Sequence, residues 1–161
     1  MKTRVEQPLF SQAQSGFTLV ESLVALVVLS VGMIGIAALY GQGLSAGRAA
    51  LDRTVAVNLA GEMADRIRAN RLGRAAYSGA GSAAKACGPG GNTDCTPAEL
   101  AAWDVFLWRA MVQQQLPGGV GTVTFTVGTP PTYTIQVDWR EPTALNGVAP
   151  SYTLTPQIPI I

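Results

Sequence analysis

The chain has 161 residues, with eleven Lys and Arg against ten Asp and Glu, so its formal net charge is +1. This balance predicts no broad basic surface for nucleic acid. The chain contains no histidine, which removes the commonest general base and the commonest metal ligand, so catalysis is not expected. The length fits one compact domain beside a long helix.

Residues 1–16 precede a long apolar segment and carry Lys2 and Arg4 against Glu6. Because positively charged flanks stay in the cytoplasm, we expect the N-terminus inside and everything after residue 40 outside. A secretory signal would end its apolar core at a small-residue cleavage site. Here the small residue, Gly16, comes before the apolar run, and residues 40–43 offer no convincing site behind it.

The apolar run spans residues 15–40 and contains one carboxylate, Glu21. The nineteen residues from 22 to 40 carry no charge, about the number needed to span roughly 30 Å of hydrocarbon. A membrane helix is therefore predicted. A charge in such a helix costs about 2.5–3.5 kcal/mol at its centre and less near an end, so Glu21 is either functional or an inert interfacial residue.

The sequence G-F-T-L-V-E at 16–21, followed by this apolar helix, resembles the signal of type IV prepilins and the related secretion pseudopilins. The resemblance implies cleavage between Gly16 and Phe17 by prepilin peptidase, and N-methylation of Phe17. A carboxylate in a low-dielectric filament core needs a cation. The free amino group of a neighbouring subunit's Phe17 is the nearest candidate, which would let Glu21 set the register between subunits.

Hydrophobic residues recur beyond the membrane segment and predict that the helix continues from residue 17 to about 70. They are Leu44, Leu51, Val55, Leu59, Met63 and Ile67. The alternative is two helices broken near Gly41, Gly43 and Gly47, because glycine weakens a helix. Small residues at 32, 35 and 38 allow either close helix packing or simple tolerance of glycine in lipid. Arginines at 66, 68, 71 and 74 are interpreted as a solvated helix end, with a polyanion site as the alternative.

Residues 72–94 are rich in Gly, Ala and Ser and predict a loop. Cys87 and Cys95 lie at its end, on the predicted exterior side, where an oxidising compartment favours a disulfide. Closing so short a loop stabilises by about 2 to 3 kcal/mol. A structural disulfide is the favoured interpretation; a metal site and free reactive thiols are the alternatives.

A second helix is predicted over residues 97–115. Thr96 supplies an N-cap, Pro97 a first-turn proline and Glu99 a capping-box carboxylate. The apolar face is predicted to comprise Leu100, Trp103, Leu107, Ala110 and Met111, with Phe106 and Trp108 beside or opposite it. Core packing explains most of these aromatic side chains, and a partner surface is the alternative for any that is left exposed.

Alternating apolar and polar residues predict strands at 120–127 and 133–140, joined as a hairpin by a turn at 128–132. A third strand is predicted at 152–155, where Pro156 and Pro159 favour an edge or a non-strand tail. The predicted fold is α+β: a long N-terminal helix with a small antiparallel sheet of three or four strands and one extra helix, in a lollipop shape typical of type IV pilins. The predicted organisation is a cleaved leader at 1–16, a membrane helix at 17–40, its amphipathic outer half at 41–71 and a head at 72–161.

Three further stretches resemble the minor pilins called type IV pilus modification proteins, or PilV. They are residues 21–40, residues 63–71, and the late combination of a Trp-containing helix, LPGG at 116–119 and VDWRE at 137–141. This resemblance implies a low-abundance pilus subunit of the bacterial inner membrane, without a cofactor. Its partners would be prepilin peptidase, other minor pilins and the major pilin, with which it would prime assembly.

Two other classes are open. A type II secretion pseudopilin would share the leader, Glu21 and the long helix. A membrane-anchored periplasmic enzyme would need a catalytic constellation, but Asp94, Glu99, Asp104, Asp138 and Glu141 are scattered over capping, helix and strand positions. The chain has no GxSxG motif, and its GPGGN run lacks the lysine and hydroxyl residue of a phosphate-binding loop.

Overall fold

The computed structural model describes residues 16–88, 90–141 and 148–159. The predicted leader at 1–16 therefore lies outside the described residues except for Gly16. In chain order, the elements are α1 (Leu19–Ala69), a 3-10 helix (Arg71–Tyr77), α2 (Pro97–Gln115), β1 (Val120–Thr126), β2 (Thr132–Asp138) and β3 (Ser151–Leu154). The predicted α+β class, with one long helix, one extra helix and a small antiparallel sheet, is confirmed.

The long helix α1 has 51 residues and is helical through Gly41, Gly43 and Gly47. A helix from 17 to about 70 was the expectation, and the alternative of two helices broken at these glycines is not what the structure shows. The chain divides into two compact units, Met1–Gly43 and Leu44–Ile161, and α1 contributes residues to both.

In the first unit, every described residue from 16 to 43 is exposed. In the second unit, the buried residues of α1 are Ala56, Leu59, Ala60, Met63, Ala64 and Ile67. The predicted apolar stripe is therefore correct from Val55 onward, where Val55 is half-buried against the core, but Leu44 and Leu51 are 70% and 67% exposed. Alanines at 56, 60 and 64 complete the buried face, and their small side chains leave room for larger partners.

The predicted face of α2 is wrong. Its buried residues are Ala101, Val105, Trp108 and Val112, spaced four, three and four apart. The reason is tertiary: the Trp108 ring is fully buried and its Nε1–H donates to the Leu59 carbonyl at 2.8 Å. Gly121 on β1 accommodates this ring, since a Cβ there would lie 2.5 Å from Trp108.

The three strands form one antiparallel sheet in the order β1-β2-β3. The predicted hairpin is confirmed, with Val123 opposite Ile135 and Phe125 opposite Tyr133. Val123, Tyr133, Ile135 and Val137 are buried, whereas Val127 lies beyond β1 and is 81% exposed. The third strand begins one residue before the predicted one and lies at the sheet edge, as the prolines after it indicated.

The first part of the predicted loop at 72–94 is instead a 3-10 helix that runs over Arg71–Tyr77. Tyr77 is completely buried and packs edge-to-face against Tyr133, with ring centroids 6.4 Å apart. This aromatic contact brings the segment onto the sheet, so six residues of the predicted loop, 72–77, are helical instead.

Candidate functional site

The predicted processing bond joins Gly16 to Phe17, at the start of the described residues. Both residues are exposed, Phe17 at 83%, and both precede the first helical residue, Leu19. The bond therefore lies in exposed, non-helical backbone just before a helix terminus, where backbone is accessible to a peptidase.

The start of α1 is capped by a residue of the motif itself. The Thr18 hydroxyl accepts a hydrogen bond from the Glu21 N–H at 3.2 Å, and the Thr18 carbonyl accepts one from the Ser22 N–H at 3.2 Å. Thr18 thus acts as an N-cap. The hydroxyl residue has a local structural role that the sequence analysis did not assign to it.

Glu21 lies in the first turn of α1 and is exposed. A carboxylate there interacts favourably with the positive end of the helix dipole. No described residue forms an ion pair with Glu21. The Glu21 carboxylate therefore lies near the N-terminus of α1, and no cation among the described residues pairs with it.

The apolar side chains after Glu21 are exposed along the whole segment to Tyr40. Val31, Ile34 and Leu39 are 66%, 71% and 68% exposed. Monomeric soluble proteins rarely expose a contiguous apolar surface of this extent, so the segment requires lipid or other apolar helices around it. Of the helices in the described residues, α1 is long and apolar enough to cross a membrane.

The small residues in this segment form no contact that requires them. A Cβ placed on Gly32 or Gly35 would meet nothing within 4 Å. The glycines are therefore open toward whatever surrounds the helix. Close helix packing and tolerance of glycine in lipid both stay open as explanations.

The predicted disulfide between Cys87 and Cys95 is present. Next to it, Lys85 forms ion pairs with Asp94 at 3.6 Å and with Glu99 at 3.3 Å. The disulfide and the Lys85 ion pairs together hold the glycine-rich loop next to the start of α2. The structural interpretation of the two cysteines is confirmed over the metal and free-thiol alternatives.

The arginine cluster is only partly a solvated helix end. Arg66 is half-buried and forms ion pairs with Glu62 at 2.7 Å and Asp104 at 3.0 Å. The pKa of Arg66 is raised, since these hydrogen bonds and charges outweigh the opposing effect of burial. The Tyr77 hydroxyl donates to Asp104 at 3.2 Å, and burial followed by the Asp104 charge raises the pKa of Tyr77.

This network connects α1, the 3-10 helix and α2, and sequence analysis missed it because the contacts that join these elements link residues 11 to 38 positions apart in the chain. Glu99 and Asp138 also have local partners. Glu99 completes the Thr96 capping box, and Asp138 accepts from the Gln136 amide at 2.8 Å. The described residues contain no group of three or more Cys, Asp and Glu side chains suited to a metal ion.

Two family comparisons match the chain over adjoining segments. Residues 11–37 match the prokaryotic N-terminal methylation motif, and residues 38–106 match a Tt1218-like family described as type IV pilin Tt1218. No curated protein matches the chain. No solved structure matches it either.

The methylation motif covers Gly16, Phe17 and Glu21, and the pilin match covers the outer half of α1, the disulfide loop and the start of α2. A pilin is a structural subunit, and the exposed apolar part of α1 fits a membrane-anchored one. Together with the α+β fold, the two matches support a type IV pilin with an N-terminal methylation motif.

Proposed function

We propose that the protein is a minor subunit of a type IV pilus, of the modification-protein (PilV) class. Prepilin peptidase would cleave it between Gly16 and Phe17 and methylate Phe17. The subunit would then join other minor pilins in a complex that helps to initiate assembly. The observation that carries this proposal is the fully exposed apolar segment that follows the methylation motif and contains Glu21 as its one charge.

The segment suits two environments in succession. Before assembly, its uncharged residues would span the inner membrane, with the basic leader in the cytoplasm and the head in the periplasm. In the filament, the same side chains would pack against equivalent helices of the major pilin and other minor pilins. Both environments remove from water the apolar surface that the described chain leaves uncovered.

Glu21 would set the position of the subunit along the filament axis. Inside a filament core, its charge is costly without a partner. After cleavage, Phe17 of an adjacent subunit carries a free amino group that can supply the positive charge. Only one axial offset between neighbouring helices brings the two groups together, so the pair favours one register.

Mass spectrometry of the protein from its native host tests the processing step. We expect a mature N-terminus at methylated Phe17. An intact Met1, or a terminus beyond Tyr40, would contradict the proposal.

A second experiment tests Glu21. We expect Glu21→Gln to preserve insertion and cleavage while reducing incorporation into sheared pili by at least tenfold, because the carboxylate is lost and the side-chain size is kept. Ser22→Ala, at the next position, is the matched control and should incorporate normally. Normal incorporation of Glu21→Gln would exclude a register role.

Gene deletion addresses the function of the whole assembly. We expect the deletion to reduce surface pili and leave exoprotein secretion unchanged. Normal pili with defective secretion would instead support a type II secretion pseudopilin, which would use the same leader and the same exposed helix.

A further inference from the structure

A cleft in the second unit lies between α1 and the sheet edge. It has a volume of about 480 Å³ and is lined by Arg53 and Val57 of α1 and by Trp139, Pro150, Ser151 and Tyr152. Apolar surface comes from Val57, Trp139 and Pro150. The charged group is the guanidinium of Arg53, and none of these lining residues is an acid.

Arg53 differs from the paired cations of this unit. Arg66, Arg68 and Lys85 each form an ion pair with a carboxylate. Arg53 is exposed and forms no ion pair or hydrogen bond with any other described residue. A guanidinium offers five N–H donors and no acceptor, so a carboxylate that enters the cleft can form charge-assisted hydrogen bonds with Arg53.

Trp139 adds a second unmet donor. The residue is 2% exposed, and its buried Nε1 finds no acceptor among the described residues. The other core tryptophan, Trp108, has its Nε1–H satisfied by the Leu59 carbonyl. Buried donors without partners are rare in native proteins. Trp139 also lines the cleft, so its indole N–H resonance reports on what binds there.

The strand beside the cleft has an open edge. The backbone N–H of Trp139 donates to the Pro150 carbonyl, and the backbone N–H of Tyr133 donates to the Pro156 carbonyl, on either side of β3. By the alternation of an antiparallel ladder, Tyr152 and Leu154 bond to β2, and the N–H and C=O of Ser151 and Thr153 point away from it. In the described sheet, β3 pairs with β2 alone, so these groups can pair with an added strand.

We propose that this cleft binds an extended acidic segment of a partner protein, which pairs with the edge of β3 and places a carboxylate against Arg53. The open edge of β3 is the reason to expect an extended partner segment. The unpaired Arg53 guanidinium is the reason to expect an acid in that segment. The apolar lining would cover the side chain beside the acid. The inference goes beyond the proposed function, because it concerns the partner of the head and not the assembly of the helix.

The test uses the full chain in detergent micelles, so its failure would leave the proposed function standing. The probe is a blocked heptapeptide, Thr-Val-Thr-Asp-Thr-Val-Thr, against the same peptide with Asn in place of Asp. Binding is followed by NMR through the Trp139 indole N–H, assigned with Trp139→Phe, and through the Ser151 and Thr153 amides. We expect the Asp peptide to bind at least fivefold more tightly and to shift all three signals.

Arg53→Gln should abolish the preference for Asp. Arg48→Gln is the matched control, because Arg48 is also an exposed arginine of α1 and does not line the cleft. Equal binding of the two peptides, or an undiminished preference in Arg53→Gln, would overturn the proposal. If acetate produced the same shifts at the same concentration, the cleft would bind small anions and the proposal would be overturned. If a backbone N-methylated Asp peptide bound equally well, strand pairing would be absent and the proposal would also be overturned.

Discussion

The two units place the same kinds of residue in opposite environments. Ile34 in the first unit is 71% exposed, and Ile67, on the same helix in the second unit, is fully buried; Met33 and Met63 repeat the contrast at 63% and 0%. Hydrophobicity is therefore not a guide to burial within this chain. In the second unit the buried apolar residues of α1 share one core with the sheet and α2, whereas in the first unit they require lipid or other apolar helices.

The contrast has a signature in composition. The first unit's apolar segment carries large aliphatic side chains all round the helix, which suits an apolar environment on every side. The outer half of α1 confines its buried residues to one face, with Arg53, Asp65 and Arg68 among the residues outside it. The helix α1 therefore combines two patterns. Its outer half buries one face, and its first part suits an apolar environment on all sides.

The matched isoleucines give the strongest test of this contrast. We expect Ile67→Ala to lower the free energy of unfolding of the head by about 3 kcal/mol, because it removes buried methylene groups and leaves a cavity. Ile34→Ala should change it by less than about 0.5 kcal/mol. Denaturant unfolding of the detergent-solubilised chain, followed by near-UV circular dichroism, measures both. Equal losses would mean that the first unit also has a packed protein core.

The disulfide provides a smaller effect that is confined to the second unit. Replacing both cysteines by serine should lower the stability of the head by about 2 to 3 kcal/mol, as expected for a short closed loop. The helix signal of the first unit in far-UV circular dichroism should persist. The double variant should also become insensitive to reductant, and a reductant effect that survived in it would show that the bridge is not the source of the stability.

The cap of α2 gives the smallest effect and a pH dependence. The pKa of Glu99 is lowered, first by the Thr96 N–H, then by the Thr96 hydroxyl and by Lys85. Its folded-state pKa lies below its unfolded value, so its contribution is present above the ordinary value of 4.5 and is lost as the pH falls through the folded pKa. Glu99→Gln should therefore flatten the acid-side loss of head stability.

Thr96→Ala is the companion variant, because it removes the hydroxyl that accepts from the Glu99 N–H. We expect a loss of about 1 kcal/mol at neutral pH, the usual cost of an N-cap. Thermal unfolding at a series of pH values measures both variants. An acid-side slope in Glu99→Gln equal to that of the unmodified chain would assign the pH dependence to other carboxylates.

Elements whose cause is local could be predicted from the sequence. The start of α2 follows from Thr96, Pro97 and Glu99, and the hairpin follows from alternation with a proline-rich turn between the strands. Gly16, Phe17 and Glu21 were identified from a motif of fixed spacing, and the methylation-motif match covers all three. The roles proposed for these three residues await the experiments above.

Elements whose cause is a distant partner could not be predicted. The buried residues of α2 do have a helical spacing, but apolar side chains also occupy the neighbouring face, so periodicity alone allowed two choices. The contact between Trp108 and Leu59, which is 49 residues earlier, decides between them. The 3-10 helix was missed because Tyr77 is held by Arg66 and Asp104 and packs on Tyr133. The Arg53 cleft was missed for the same reason, as its walls come from residues almost 100 positions apart.

By itself, the sequence determined that residues 22–40 form an uncharged apolar helix behind a processing motif, because hydropathy and spacing are properties of a continuous segment. The tertiary structure alone decided which face of α2 is buried and which cations and N–H donors have a partner. Burial and pairing depend on what lies across a contact, and in this chain those groups are supplied by elements far apart in sequence.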